Sequence, residues 1–148
     1  MEDLETAGPT PYWRSRWTGL VALLRAVGHV LAKIDSKQST VHKGAIAAEW
    51  DLLGQDRSAN PIFWEFIEEE RNNVLKAFEF GAQLVTTFRP GTTHMARDGT
   101  STAGPSGPTT YEAFVRSPSF GGRDAIQTAR DAIDFWRAYL NRVEARLH

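Results

Sequence analysis

The residues that invite chemistry lie close together: Glu70, Arg71, Asn72, Asn73 and Lys76. What marks them is position. An apolar stripe runs Phe63, Phe66, Ile67, then Val74, Phe78 and Val85. The positions that should continue it between Ile67 and Val74 hold Glu70 and Arg71, with Asn73 beside them. Isolated buried charge is costly, so these groups must pair with each other, pair with another helix, or line a cleft. Neighbours on a helix point about 100 degrees apart, which places Glu70 and Arg71 poorly for each other. Partners from the first or last helix are therefore expected. Three readings stand at this point: a buried ion-pair network, a solvated edge where the helices part, and a functional site.

Other routes to chemistry are narrower. The chain has no Cys, which removes disulfides, iron–sulfur clusters and thiol catalysis. Its four His are His29, His42, His94 and His148. His29 follows Arg25 by four and reads as a surface or helix-contact residue. His94 falls near Arg89 and Arg97 in a Gly-rich stretch and reads as a solvated loop residue. No Glu-x-x-His occurs, so a di-iron or di-manganese bundle is not expected, and neither metal nor cofactor is. Glu65, Glu68 and Glu69 read as a solvated acidic face. Gly, Ser and Thr at 99–107 form low-complexity linker rather than a phosphate loop. Trp64 stands off the stripe beside Phe63 and is the best candidate for an exposed contact with a partner.

The elements that must hold these residues are legible as spacing. Trp13, Trp17, Leu20, Leu24, Val27, Leu31 and Ile34 form a seam on one helix from about Pro11 to 35–37. Val41, Ala45, Ala48 and Leu52, widened by Ile46, Trp50 and Leu53, predict a second helix from Ser39 or Thr40 to Leu53, stopped by Gly54. Asn60-Pro61 opens a third helix that runs to about Phe88, with Gly81 a weak point within it. A fourth starts after Gly121-Gly122, where Asp124 and Gln127 resemble a capping box. Ile126, Ala129, Ile133, Trp136, Leu140, Val143 and Leu147 are its seam. Between helices three and four, 20 of the 35 residues at 88–122 are Gly, Pro, Ser or Thr. That stretch is expected to be a loop or a short hairpin, with 109–115 as one strand.

The fold expected is all-α: an antiparallel four-helix bundle, with 1–10 as an acidic flexible tail and 11–148 as one domain. Its 148 residues, with 17 Lys+Arg against 18 Asp+Glu and 41% hydrophobic content, have the composition of one soluble domain. Near-zero net charge argues against a nucleic-acid coat or a polybasic membrane anchor. The start is acidic and the longest apolar run, Leu20–Leu24, is short, so a cytoplasmic protein with no membrane partner is expected. Tyr12, Phe135 and Tyr139 widen the apolar faces, which suits a homodimer.

A helical chain carrying Glu70-Arg71-Asn72-Asn73-Val74-Leu75-Lys76 resembles the HEPN superfamily. The resemblance covers roughly 12–87 and 123–147. It implies a small all-α, commonly dimeric domain of the kind found in toxin–antitoxin, CRISPR-linked and phage-defence systems. Active members are metal-independent ribonucleases with an Arg, an adjacent polar residue, and a His four to six residues after the Arg. Arg71 matches the first and Asn72 the second. The His has no counterpart: Lys76, Ala77 and Phe78 stand where it would be. Lys76 can hold a phosphate but is a poor base unless strongly desolvated. The expectation is a non-catalytic HEPN-like module that binds a protein partner or a ligand, through Glu70, Asn73 and Trp64. The alternatives are a ribonuclease using Arg71, Asn72 and Lys76, with RNA as its partner, and an operon-specific accessory protein.

Overall fold

The computed structural model describes residues 12–77, 79–87, 91, 93–95, 97, 99, 101–104, 107, 110–116 and 119–148. The expected tail at 1–10, and Phe78, lie outside the described residues. The described residues are mostly helical, with two small two-stranded antiparallel sheets. Helix α1 spans Tyr12–Lys33 and is followed by a 3-10 turn, Asp35–Lys37. Helix α2 spans Thr40–Gln55; the Ser39 side chain caps it by accepting from the His42 N–H.

Helix α3 covers 62–77 in three pieces: a π-helical stretch Ile62–Glu68, an α-helical turn Glu69–Asn72, and a second π-helical stretch Asn73–Ala77. It does not run on to Phe88. Residues 82–87 instead form strand β1, Ala82–Thr87. The β-branched run Val85-Thr86-Thr87 favours that conformation, and a partner strand supplies the backbone hydrogen bonds a helix would have made internally. Asn60 does not cap α3 with its side chain. Its carboxamide N–H donates back to the Asp56 carbonyl, 2.9 Å away.

Two short strands follow, β2 (Thr93–Met95) and β3 (Ser101–Ala103), paired antiparallel. Strand β4, Thr110–Val115, then pairs antiparallel with β1, from Ala82↔Val115 to Thr87↔Thr110. Of the expected strand at 109–115, the described residues 110–115 are a strand, but its partner comes from the residues assigned to helix three. Helix α4 spans Ala125–Ala145. Asp124 Oδ1 accepts from the Gln127 N–H at 2.7 Å, while the Gln127 side chain turns forward to Asp131. The cap is single rather than reciprocal.

Helix α4 packs on α1, α2 and α3, and α1 packs on α2 and α3. On α3 the expected stripe Phe63, Phe66, Ile67 and Val74 is buried, but on α1, α2 and α4 the buried row is displaced from the expected seam. On α1 it is Trp13, Trp17, Val21, Leu24, Gly28 and Leu31; Leu20 and Val27 lie at its edge and Ile34 is exposed. On α2 it is Ala45, Ile46, Glu49 and Leu53, while Val41 and Leu52 are exposed. On α4, Ala125, Thr128, Ala129, Ala132, Trp136, Tyr139 and Val143 are buried, and Leu140 is exposed. Small residues face inward because they let helix axes approach around the large rings. Gly28 shows why: a Cβ there would lie 3.1 Å from the Trp136 ring. Trp13 and Trp17 stack at 5.4 Å, and Phe63 is ringed by Trp50, Trp64, Phe135 and Trp136. By length and hydropathy Tyr12–Lys37 could cross a bilayer, but its inner row packs into this core.

Candidate functional site

The break in the stripe of α3 becomes a polar knot. Glu70 is 1% exposed and, among the described residues, meets no cation. Its Oε1 accepts from the Trp17 indole N–H at 2.7 Å and from the Gly81 backbone N–H at 3.0 Å. Helix α1, helix α3 and the start of β1 are joined at that single oxygen. Glu70 Oε2 is buried without a partner, and a Cβ at position 81 would overlap it. Gly81 is therefore a point of close approach that ends the helical path, not a weak point within a longer helix. Burial pushes the Glu70 carboxyl above its ordinary value. The Trp17 and Gly81 hydrogen bonds pull the other way, and the charge of Glu69 adds to the rise. The partner does come from the first helix, as the stripe argument required, but it is an indole rather than a base.

Arg71 and Asn72 meet each other. The Arg71 guanidinium donates to Asn72 Oδ1 at 2.8 Å, and both are half-buried. Among the described residues no carboxylate pairs with Arg71. Asn73 is half-buried one position on, and its carbonyl accepts from the Glu79 N–H where α3 ends. Lys76 is exposed on the last turn. Glu65, Glu68 and Glu69 are half-buried rather than a fully solvated face.

Trp64 is not an open contact surface. Its indole N–H donates to the Leu53 carbonyl at 3.2 Å, its ring sits edge-on to Phe63, and Arg57 lies 4.1 Å over it. It ties α3 to the end of α2. Of the histidines, His42 shares a 2.8 Å contact with Ser39 Oγ at the α2 cap, His148 is exposed, and His94 pairs through its backbone with Thr102.

His29 stands elsewhere, in a cleft of about 440 Å³ between α1 and α2. Leu31, Ile46, Trp50 and Tyr139 supply its apolar and aromatic walls. Arg25, His29, Lys33 and Lys43 line it too, with Asp51 the one carboxylate. Tyr139 is fully buried, and its hydroxyl has no hydrogen-bond partner among the described residues. Burial, then the charge of Glu49, pushes the phenol up to about 12, against a smaller opposing pull from Arg142. The group is a neutral hydrogen-bonding hydroxyl across the physiological range.

Glu49, which no pattern flagged, braces this wall. It is 3% exposed and accepts from Arg142 Nε at 2.8 Å and Arg146 Nε at 2.6 Å. Burial alone pushes its carboxyl up. The hydrogen bonds and charges of the two arginines outweigh that and hold it below the usual range. The signal that could have found it is a lone carboxylate inside the apolar row of α2, between Ile46 and Leu53, facing a helix rich in Arg.

A second groove, between α1 and α4, is apolar: Leu20, Leu23, Val27, Ile133 and Leu140 line it, and Leu23 and Leu140 are exposed. Among the described residues no three His, Cys, Asp or Glu side chains converge as a metal set. Comparison with family models, with curated proteins and with solved structures finds no match to this chain.

Proposed function

We propose that this protein is a non-catalytic helical binding module, acting in the cytoplasm, that takes a small ligand into the cleft between α1 and α2. The observation that carries the reading is the cleft itself. Its volume of about 440 Å³ falls in the range of small-molecule sites. Its walls join apolar surface to a few polar and charged groups, among them Arg25, His29, Lys33 and Lys43. Glu70, by contrast, faces only an indole and a backbone amide, which orient no reactive group beside it. A fragment library screened by NMR on isotope-labelled protein tests the reading. The expected result is a set of ligands that shift His29, Lys43 and Trp50 signals together. A library that leaves all three unmoved removes the proposal.

The four helices read best as an antiparallel bundle, and the HEPN-like run at 70–76 supports a role in a bacterial or phage defence or toxin–antitoxin setting. A homodimer belongs to the same reading: a second copy seated on the α1–α4 groove would cover Leu23 and Leu140. Light scattering of wild type and Leu23→Glu measures this; a wild-type monomer at high concentration ends it.

One observation favours a ribonuclease as second reading. Arg71 is bonded to Asn72 and is not closed off by a carboxylate among the described residues. An RNA-cleavage assay without added metal, wild type against Arg71→Ala, decides it. Cleavage that survives the substitution unchanged sinks the assignment of Arg71, Asn72 and Lys76.

A further inference from the structure

We infer that the ligand of the α1–α2 cleft is an amphipathic organic anion: a body of one or two rings carrying a single carboxylate. The inference rests on the binding reading above and names its chemistry.

Arg25, Lys33 and Lys43 line the cleft against one carboxylate, Asp51, although the whole chain carries a net charge of −1. The excess is local. Arg25, His29 and Lys33 follow at intervals of four, so they share one face of α1. Lys43 joins them from α2. Among the described residues, no ion pair or hydrogen bond involves the side chain of Arg25, Lys33 or Lys43. Three cations elsewhere do have carboxylate partners: Arg142 and Arg146 pair with Glu49, and Arg137 with Asp134. An incoming anion supplies the missing countercharge.

The walls select what carries that charge. Leu31, Ile46, Trp50 and Tyr139 offer apolar and aromatic surface that a bare inorganic anion would not use. Trp50 is held edge-on to Phe63 at 5.6 Å and is 38% exposed, so part of its indole is open to a flat partner. A two-ring body fills much of the available volume and leaves its carboxylate among the Lys and Arg side chains.

The test uses a matched pair on the full chain: 2-naphthoate and its neutral amide, 2-naphthamide. Each is titrated by NMR, following the Trp50 indole and the Ile46 and Leu31 methyl groups. The expected result is binding of the acid about tenfold tighter than the amide, a gap that closes as salt rises. Lys33 and Lys43 are both exposed, so Lys33→Glu with Lys43→Glu should keep the fold, checked by circular dichroism, and erase the gap. Lys33→Gln with Lys43→Gln should narrow it without adding negative charge. Equal binding of acid and amide to wild type overturns the anion assignment while leaving the cleft a binding site. Failure of both probes to move any cleft signal overturns the anion assignment; the binding reading it rests on falls only if the fragment library also leaves the cleft unmoved.

Discussion

Replacing Glu70 tests the account of the polar knot, because two substitutions separate its hydrogen bonds from its charge. Glu70→Ala leaves the Trp17 indole N–H and the Gly81 N–H buried without their acceptor. Each orphaned donor costs about 1–3 kcal/mol, so a loss of about 4 kcal/mol is expected. For a domain of this length 1 kcal/mol moves Tm by roughly 2–4 °C, which makes the fall on the order of 10 °C. Glu70→Gln keeps a carbonyl oxygen for both donors and removes the charge. Its effect depends on pH. The Glu70 carboxyl is raised above 4.5 in the folded protein, so the folded state binds the proton more tightly than the unfolded chain. Wild type therefore loses stability from this group as pH rises from about 4.5 through the folded value, and Glu70→Gln does not. The difference in ΔG of unfolding, variant minus wild type, should increase over that window. Urea denaturation at a series of pH values measures it. A difference that is flat, or that decreases with pH, refutes the buried-acid reasoning. A Glu70→Ala variant within about 1 kcal/mol of wild type refutes the hydrogen bonds.

Three further outcomes follow from the same contacts. Glu49→Gln should cost about 1–3 kcal/mol, since its arginine partners are half-exposed and can turn to water. Glu49 is held below its ordinary 4.5, so its contribution is present above that pH and lost as pH falls through the folded value. Acid unfolding of the variant should start from a lower plateau and fall less steeply; parallel curves would contradict this. Tyr139→Phe removes a buried hydroxyl with no partner and should raise stability by about 1 kcal/mol in urea denaturation. A comparable loss would mean the hydroxyl is bonded in solution. Gly81→Ala places a Cβ against Glu70 Oε2 and should destabilise by about 1–3 kcal/mol. Combined with Glu70→Ala the cost should fall well short of the sum, and an additive double-mutant cycle would disprove the contact.

The helices were legible because their signals are local. The Asp124 cap acts within one turn, and the Trp13, Trp17 and Trp136 spacing places all three in the core. Which residue within each stripe faces exactly inward was not legible. Gly28 and Ala132 carry almost no hydrophobic signal and stood on no expected seam, yet both face the core, Gly28 because the Trp136 ring leaves no room for more. The partner of β1 lies some thirty residues along the chain, so no window of sequence shows why 82–87 leaves the helix. Trp64 looked free because Leu53 and Arg57 reach it only once α2 and α3 are folded together.

By itself the sequence determined a mostly helical chain without disulfides, the approximate helix starts, and the place where an apolar row is broken by charge. Tertiary structure alone decided what that break means. It turned Glu70 toward an indole and a backbone amide, and it set Glu49 beneath two arginines almost a hundred residues away. It also gathered Arg25, Lys33 and Lys43 from two helices around one cleft. The physical reason is range. Caps and periodicity depend on neighbours within a turn or two, whereas a buried charge finds its partner only where distant segments meet.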